Sequence, residues 1–509
     1  MTRLMNAPPT LFTNLRTSFL QIPAPISMLI WVIGLWLWGT LVSILPNALG
    51  LVVLIVTMIP SSLLFWKYPE YGVVALVFFT SGFLVNNFVE FGGLEIRDFI
   101  LFLMFGITLL QQLIRKHLVI SWWPVGGVFL VFIAIVVFSL IYALFEGVPT
   151  NWALGEARIL FLYLLFFIVA WGIDTKMKLY RLILGGMVIT SFLSIIGIIQ
   201  QFLGPDNLLL SGMYGTNWLI DADGASTRVV SPGIGYQYFM MLICIGLMVE
   251  NRNNRHRLIA WFLTWFLLVI GLIFTFTRSS WAASGISIIL STVILFPIYK
   301  PHFFRILTLL AATAMFLIGF FGLVSAPLQL EDNPIYSRFT SIFSEETSET
   351  NSLQWRVFEQ QQIALALQEH PITGVGLGNS YRNITTYQGE ARGLWVQGDL
   401  SYIRYDRFTR YAHSSYSALS VKLGIPGIAV FLGFCILAML KGLRLYFQLP
   451  DSFAKYIPLM ISTGILGLLQ WAFYHAVLML AAVTCVIAIV IGMLACIDNI
   501  YINNPNQST

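Results

Sequence analysis

The chain has 509 residues, 58% of them hydrophobic and only 10% charged, with a mean hydropathy of +0.82 and a formal net charge of +5. Soluble globular chains carry about 25% charged residues. A soluble protein is therefore excluded, nucleic acid is not a sensible partner, and an integral membrane protein remains.

The apolar runs are about 20 residues long, the length of a membrane-crossing helix rather than the ~10-residue alternating segments of an outer-membrane barrel. About fourteen can be placed, starting near residues 27, 47, 71, 98, 122, 154, 179, 233, 257, 281, 303, 426, 456 and 477. The predicted fold is all-α and polytopic. Residues 1–26, with their prolines and polar side chains, are expected to be a cytosolic leader, and residues 27–325 to carry the first eleven spans. A long loop over 326–412 follows. Residues 413–497 are expected to hold a short helix bearing His413 and the last three spans, and 498–509 a cytosolic tail. All four cysteines (Cys244, Cys435, Cys485 and Cys496) fall within apolar spans, where packing is their expected role.

Lysine and arginine in short loops set the orientation of such a chain. With a cytosolic N-terminus, sixteen of them between Arg3 and Lys455 fall on the inside, and only Arg97, Arg158, Arg228 and Arg278 on the outside. Both termini are then cytosolic and the 326–412 loop is extracytoplasmic. Long loops cross regardless of charge and are left out of that count.

Orientation leaves a few charges unexplained. Glu156 and Arg158 in "NWALGEARILFLY" are expected to form a local ion pair. Arg228 in "GASTRVVSPGIGYQYF" precedes a helix opened by a Ser-Pro-Gly turn. Arg278 in "GLIFTFTRSSWAASG" has an apolar run on each side and almost no loop. An arginine at that depth is expensive unless it faces a cavity or a partner, so it is a functional-site candidate set against a snorkelling one. Arg356 lies on a helical pattern with Leu353, Val357, Ile363, Ala364 and Leu367, which predicts an amphipathic helix across the membrane face. "GVGLGN" (Gly374, Gly376, Gly378) has no preceding strand and reads as a flexible turn. In "SYIRYDRFTRYAHSSYSALSVKLGIPG", Arg404, Arg407 and Arg410 recur every three residues among Tyr402, Tyr405, Phe408 and Tyr411, and the run ends at His413. The aromatics suit either an interfacial belt or stacking on sugar rings. The Gly-Ile-Pro-Gly at 424–427 should break the helix before the next span restarts at Pro426.

The spacing His413, Ser414, nine residues, Gly424, two residues, Gly427 resembles the signature of the O-antigen ligase and polymerase family. "FTFTRSSW" is similar to that family's Thr-x-Ser-Arg-Gly-x-Trp helix end, with Thr277 in place of the serine and Ser279 in place of the glycine. "TRVVSPGIGYQYF" resembles its Arg-x-x-Gly-x-x-x-x-Pro-Asn-x-x-Ala segment without the Pro-Asn pair, and "EHPITGVGLGN" its approach to the last helices. The resemblance covers roughly residues 225–440. It implies a metal-independent, C-type glycosyltransferase of a bacterial inner membrane, with the active site facing outward and no cofactor. The implied partners are membrane lipids, a donor glycan on undecaprenyl diphosphate, and an acceptor hydroxyl on a lipid A core sugar, a further lipid-linked repeat or a protein. Arginine holds a diphosphate leaving group through a planar fork of donors, and histidine serves as a general base near neutral pH. Arg278 and His413 are thus the expected catalytic residues, and Arg228, Arg356, Arg407 and Arg410 the expected donor-binding ones. The ligase branch is favoured over a polymerase by the His-Ser spacing. A transporter or flippase is the rival from another class, and an inactive scaffold the third reading.

Overall fold

The computed structural model describes residues 23–44, 47–83, 95–115, 122, 124–203, 209, 214–215, 229–230, 233–275, 277–295, 348–381, 410, 412–450 and 454–503. Within them the chain is helical, apart from an antiparallel pairing of Tyr214–Gly215 with Val229–Val230. Nine of the described helices are long and apolar enough to cross a membrane, and four shorter apolar ones accompany them. This is a multi-pass membrane architecture. The described helices match thirteen of the expected span starts, and the span expected near 303 lies outside the described residues.

The helices are α1 Ala24–Ile44, α2 Asn47–Lys67, α3 Pro69–Thr80, α4 Ile96–Ile114 and α5 Val125–Phe145. After them come α6 Thr150–Phe161 and α7 Leu165–Gly172, which run on through one 3-10 turn as a single span. Then follow α8 Lys176–Leu203, α9 Ile234–Glu250, α10 Arg255–Ile273 and α11 Arg278–Leu295. Helix α12 is Ser348–Glu369, α13 Ser415–Gln448, α14 Ile457–Tyr474 and α15 Ala481–Asp498.

Hydrophobic residues cover both the inside and the outside of this bundle. Leu37, Ile59 and Leu63 on α1 and α2 are exposed, as a lipid-facing surface requires. With lipid outside, helix association depends on close backbone approach and interhelical hydrogen bonds. Helices α11 and α14 show both. Ser291 and Thr463 hydroxyls meet at 2.7 Å, and a Cβ on Gly467 would collide with Ser287. Tyr238 of α9 joins them, 2.6 Å from the Ser287 hydroxyl and donating to the Gly464 carbonyl at 2.8 Å. All four cysteines are free and buried, in keeping with a packing role.

Contacts bring the starts of α4, α6 and α13 and the ends of α5 and α14 to one end of the bundle: Arg158 pairs with Glu95, Val148 N–H bonds the Ala143 carbonyl, and Ser415 bonds His475 and Leu478, just ahead of α15. The contacts of His413, Glu156 and Arg158 all lie there. The opposite end gathers Lys67, Lys176, Lys178, Arg181 and Lys441.

Candidate functional site

Helix α13 is where the site is built, and its break is fully accounted for. Gly424 has φ 73° and ψ 177°, so the helix stops and restarts there. An unbroken helix would bond the Ile425 N–H to the Val421 carbonyl. Instead, Ile425 N–H donates to the Pro371 carbonyl at 2.9 Å, and the Val421 carbonyl accepts from Val375 N–H at 2.8 Å. Pro426 has no N–H to lose, and the Lys422 carbonyl it would have served accepts from the Ser139 hydroxyl at 2.9 Å.

The segment that replaces the helical bonds is "HPITGVGLGN", residues 370–379, and with residues 374–378 buried it is a clasp rather than a flexible turn. Gly374, Gly376 and Gly378 have φ of 65°, 89° and 75°. A Cβ on Gly374 would sit 2.6 Å from Gly424 N, and one on Gly378 2.5 Å from Ala153 N. Only glycine combines that backbone with that approach. The clasp thereby ties α12, α13 and the start of α6 together.

His413 stands one residue ahead of the Ser414 N-cap of α13, not on the helix itself. The short helix expected to bear His413 therefore begins just after it. The polar run that follows His413 is divided among elements. The Ser415 hydroxyl donates to the His475 carbonyl at 2.7 Å and accepts from Leu478 N–H at 3.1 Å, and the Tyr416 hydroxyl donates to the Leu469 carbonyl at 2.5 Å. Both bonds fix α13 to the end of α14. Ser417 turns the other way, with its hydroxyl 2.8 and 2.9 Å from the two ends of the Gln360 amide on α12.

Glu359, next to Gln360, is 1% exposed and grips His413 twice. One carboxylate oxygen accepts the His413 backbone N–H at 2.9 Å, and the ring Nδ1 lies 3.1 and 3.3 Å from the two oxygens. The Tyr381 hydroxyl reaches the same carboxylate at 3.4 Å. The imidazole remains 43% exposed. With Nδ1 occupied by a carboxylate, Nε2 is the ring nitrogen left for chemistry.

A buried ion pair lies further along α13. Lys422 Nζ lies 3.1 Å from Glu156 Oε1, with side chains 2% and 1% exposed. Glu156 Oε2 accepts the Gly378 N–H at 2.7 Å, and Lys422 Nζ also donates to the Asn379 carbonyl at 2.6 Å. Arg410 is buried, its guanidinium carbon 4.1 Å from the Trp152 ring centre on α6. The expected Glu156–Arg158 ion pair is absent. Arg158 bonds Glu95 at 2.6 Å and approaches Asp98 at 3.7 Å instead. Residues two apart on a helix do not face each other.

The predicted site residues fare differently. The structure brings His413 and Arg410 to one end of the bundle. Arg278 is the first residue of α11 and Arg356 lies one turn before Glu359 on α12. Arg228 and Arg407 lie outside the described residues. Sequence reasoning missed Glu359, Tyr381 and Lys422. Glu359 carried no sequence signal of its own: its burial at helical spacing with Ile363 and Ala366 on α12 is seen only in the folded chain. The expected stripe included Ala364, which is exposed.

Residues 263–432 match the family model described as O-antigen ligase. The match begins within α10 and ends within α13, so it includes Arg278, Arg356, Glu359, Arg410 and His413 and excludes Arg228. A comparison with curated proteins finds no match.

Proposed function

We propose that the chain is a membrane glycosyltransferase, a reading supported by the match of residues 263–432 to the O-antigen ligase family model. It would move a glycan from undecaprenyl diphosphate to an acceptor hydroxyl on the outer face of a bacterial inner membrane. The observation that carries this reading is His413, an exposed imidazole held through Nδ1 by a buried carboxylate at a helix start within the matched domain.

In this mechanism Nε2 of His413 takes the acceptor hydroxyl proton as that oxygen attacks the anomeric carbon. The bond from that carbon to the diphosphate oxygen breaks, and the lipid diphosphate leaves carrying the charge. Arg278 is the first candidate to hold it. It opens α11, a helix N-terminus carries partial positive charge of its own, and a guanidinium is the side chain that holds a diphosphate through paired donors. Such charge, placed where the leaving group develops its own, stabilises the transition state selectively. Arg228, Arg356, Arg407 and Arg410 are secondary candidates. The chemistry calls for no metal, and transfer should continue in the presence of a chelator.

The acceptor reading follows the ligase branch, a core sugar on lipid A, as the His-Ser spacing suggests. The test is to supply the purified chain with lipid-linked repeat as its only substrate. No lengthening is expected until a core acceptor is added. Lengthening of the glycan alone identifies a polymerase, and no turnover under either condition overturns glycosyl transfer in favour of transport.

A further inference from the structure

We infer that Glu359 is a positioning residue for the reaction: it fixes the tautomer and orientation of His413 so that Nε2, and not Nδ1, meets the acceptor hydroxyl. The inference rests on the reading of His413 as general base and deepens it.

Three observations on separate groups support it. The carboxylate takes both the backbone N–H and the ring Nδ1 of the same residue, at 2.9 and 3.1 Å. A carboxylate beside a ring nitrogen keeps the proton on that nitrogen, which leaves the lone pair on the other one. The bond to the backbone also removes the freedom of the chain to slide relative to the ring. Glu359 is itself held: it is buried, the Tyr381 hydroxyl reaches it, and the Gln360–Ser417 contact locks the adjacent turn of α12 onto α13. The ring is more exposed than its partner, as a base needs to be if substrate is to reach it. Burying a carboxylate with an imidazole is costly unless its bonds are satisfied, and a plain helix contact would be served by an apolar residue at this position. During the reaction the ring gains a proton, and the adjacent anion stabilises the imidazolium so formed.

Among the described residues, the Tyr381 hydroxyl reaches Glu359, Arg410 lies three residues upstream of His413, and the His475 carbonyl takes the Ser415 hydroxyl. Of these groups, Glu359 is the carboxylate against the ring.

The test uses the full-length protein in detergent or nanodiscs, with lipid-linked glycan as donor and core oligosaccharide as acceptor. Glu359→Gln keeps the shape and removes the charge. It should lower kcat by about 10–100-fold, the usual cost of losing an orienting partner, and leave KM for the donor unchanged. In a His413→Ala background the same change should cost nothing further, because a positioning residue has nothing left to position. Glu359→Asp keeps the charge at a shorter reach and should recover part of the lost kcat. If Glu359→Gln does not fold, the aspartate variant carries the test.

A wild-type kcat in Glu359→Gln, no recovery of kcat in Glu359→Asp, or a further loss in the His413→Ala background each overturns the positioning role. His413→Ala separates this from the underlying reading. If that variant transfers glycan at the original rate, the base assignment fails; if it is slow while Glu359→Gln is normal, only the present inference fails.

Discussion

The two ends of the bundle use charge differently. At the end away from His413, lysines sit against neighbours close in sequence or against aromatic rings. Lys67 lies 5.1 Å from the Tyr68 ring centre, Lys176 5.2 Å from that of Tyr501, and Lys441 5.0 Å from that of Trp122. Lys178 meets Asp174 four residues away, with the aspartate 41% exposed. The buried Glu70, reached by Arg181 at 3.3 Å, is a long-range pair at this end too. At the His413 end, most of the described charged side chains are buried, and their partners include ones 54 and 266 positions away. The first pattern is what insertion needs: positive charge in short loops, whatever its exact partner. The second needs the folded bundle. Buried ionisable groups in membrane proteins mark function, and here they surround the candidate base.

This contrast can be tested at several scales. The largest expected effect is all-or-none. If the basic end is cytosolic, a cysteine replacing Ser348 reacts with an impermeant thiol reagent in intact spheroplasts and one replacing Asn253 does not. The native cysteines are buried and leave the background low. The opposite labelling pattern would place the candidate site on the cytosolic side and end the proposal. Next comes His413→Ala, which should slow transfer by about 10²–10⁴-fold while donor binding, measured by competition, persists. Lost binding with unimpaired transfer from bound donor would make His413 a binding residue. Arg278→Lys keeps the charge but not the fork of donors. We expect a loss approaching about 10²-fold in kcat without a change in unfolding temperature; a wild-type rate would remove Arg278 from the clamp.

Stability gives the smaller contrasts. Lys422→Met strands a buried carboxylate and should destabilise by about 3–5 kcal/mol, read from thermal unfolding. Adding Glu156→Gln should restore part of the loss. Lys178→Ala, at the other end, removes an exposed i,i+4 pair worth about 0.3–0.5 kcal/mol. Equal effects at the two sites would erase the distinction drawn between the ends.

How legible each part was follows from how local its causes are. The spans were readable because twenty apolar residues act alone. The break at Gly424 was readable because glycine and proline carry their backbone preferences with them. His413 was found through its spacing to Gly424 and Gly427. Glu359 was not found, because an acid on a mixed helix looks solvated until α13 is packed against it. The Glu156–Arg158 reading failed for the same reason: nearness in sequence stood in for nearness in space, and each residue's true partner lies on another helix. The glycines of the clasp announced a turn, but the backbones they must approach, at Ala153 and Lys422, belong to other segments.

The separation of Glu156 from Lys422 also has a consequence in time. Chains are made at about 5–20 residues per second, and 266 residues separate the two partners. Glu156 thus emerges on the order of 10–50 seconds before its lysine exists. Through that interval the growing bundle holds a carboxylate with no lysine to meet it. The first spans cannot close around Glu156 as an ion until α13 arrives, so assembly of the His413 end is a late event in the biogenesis of this protein, fixed by the order of its own synthesis.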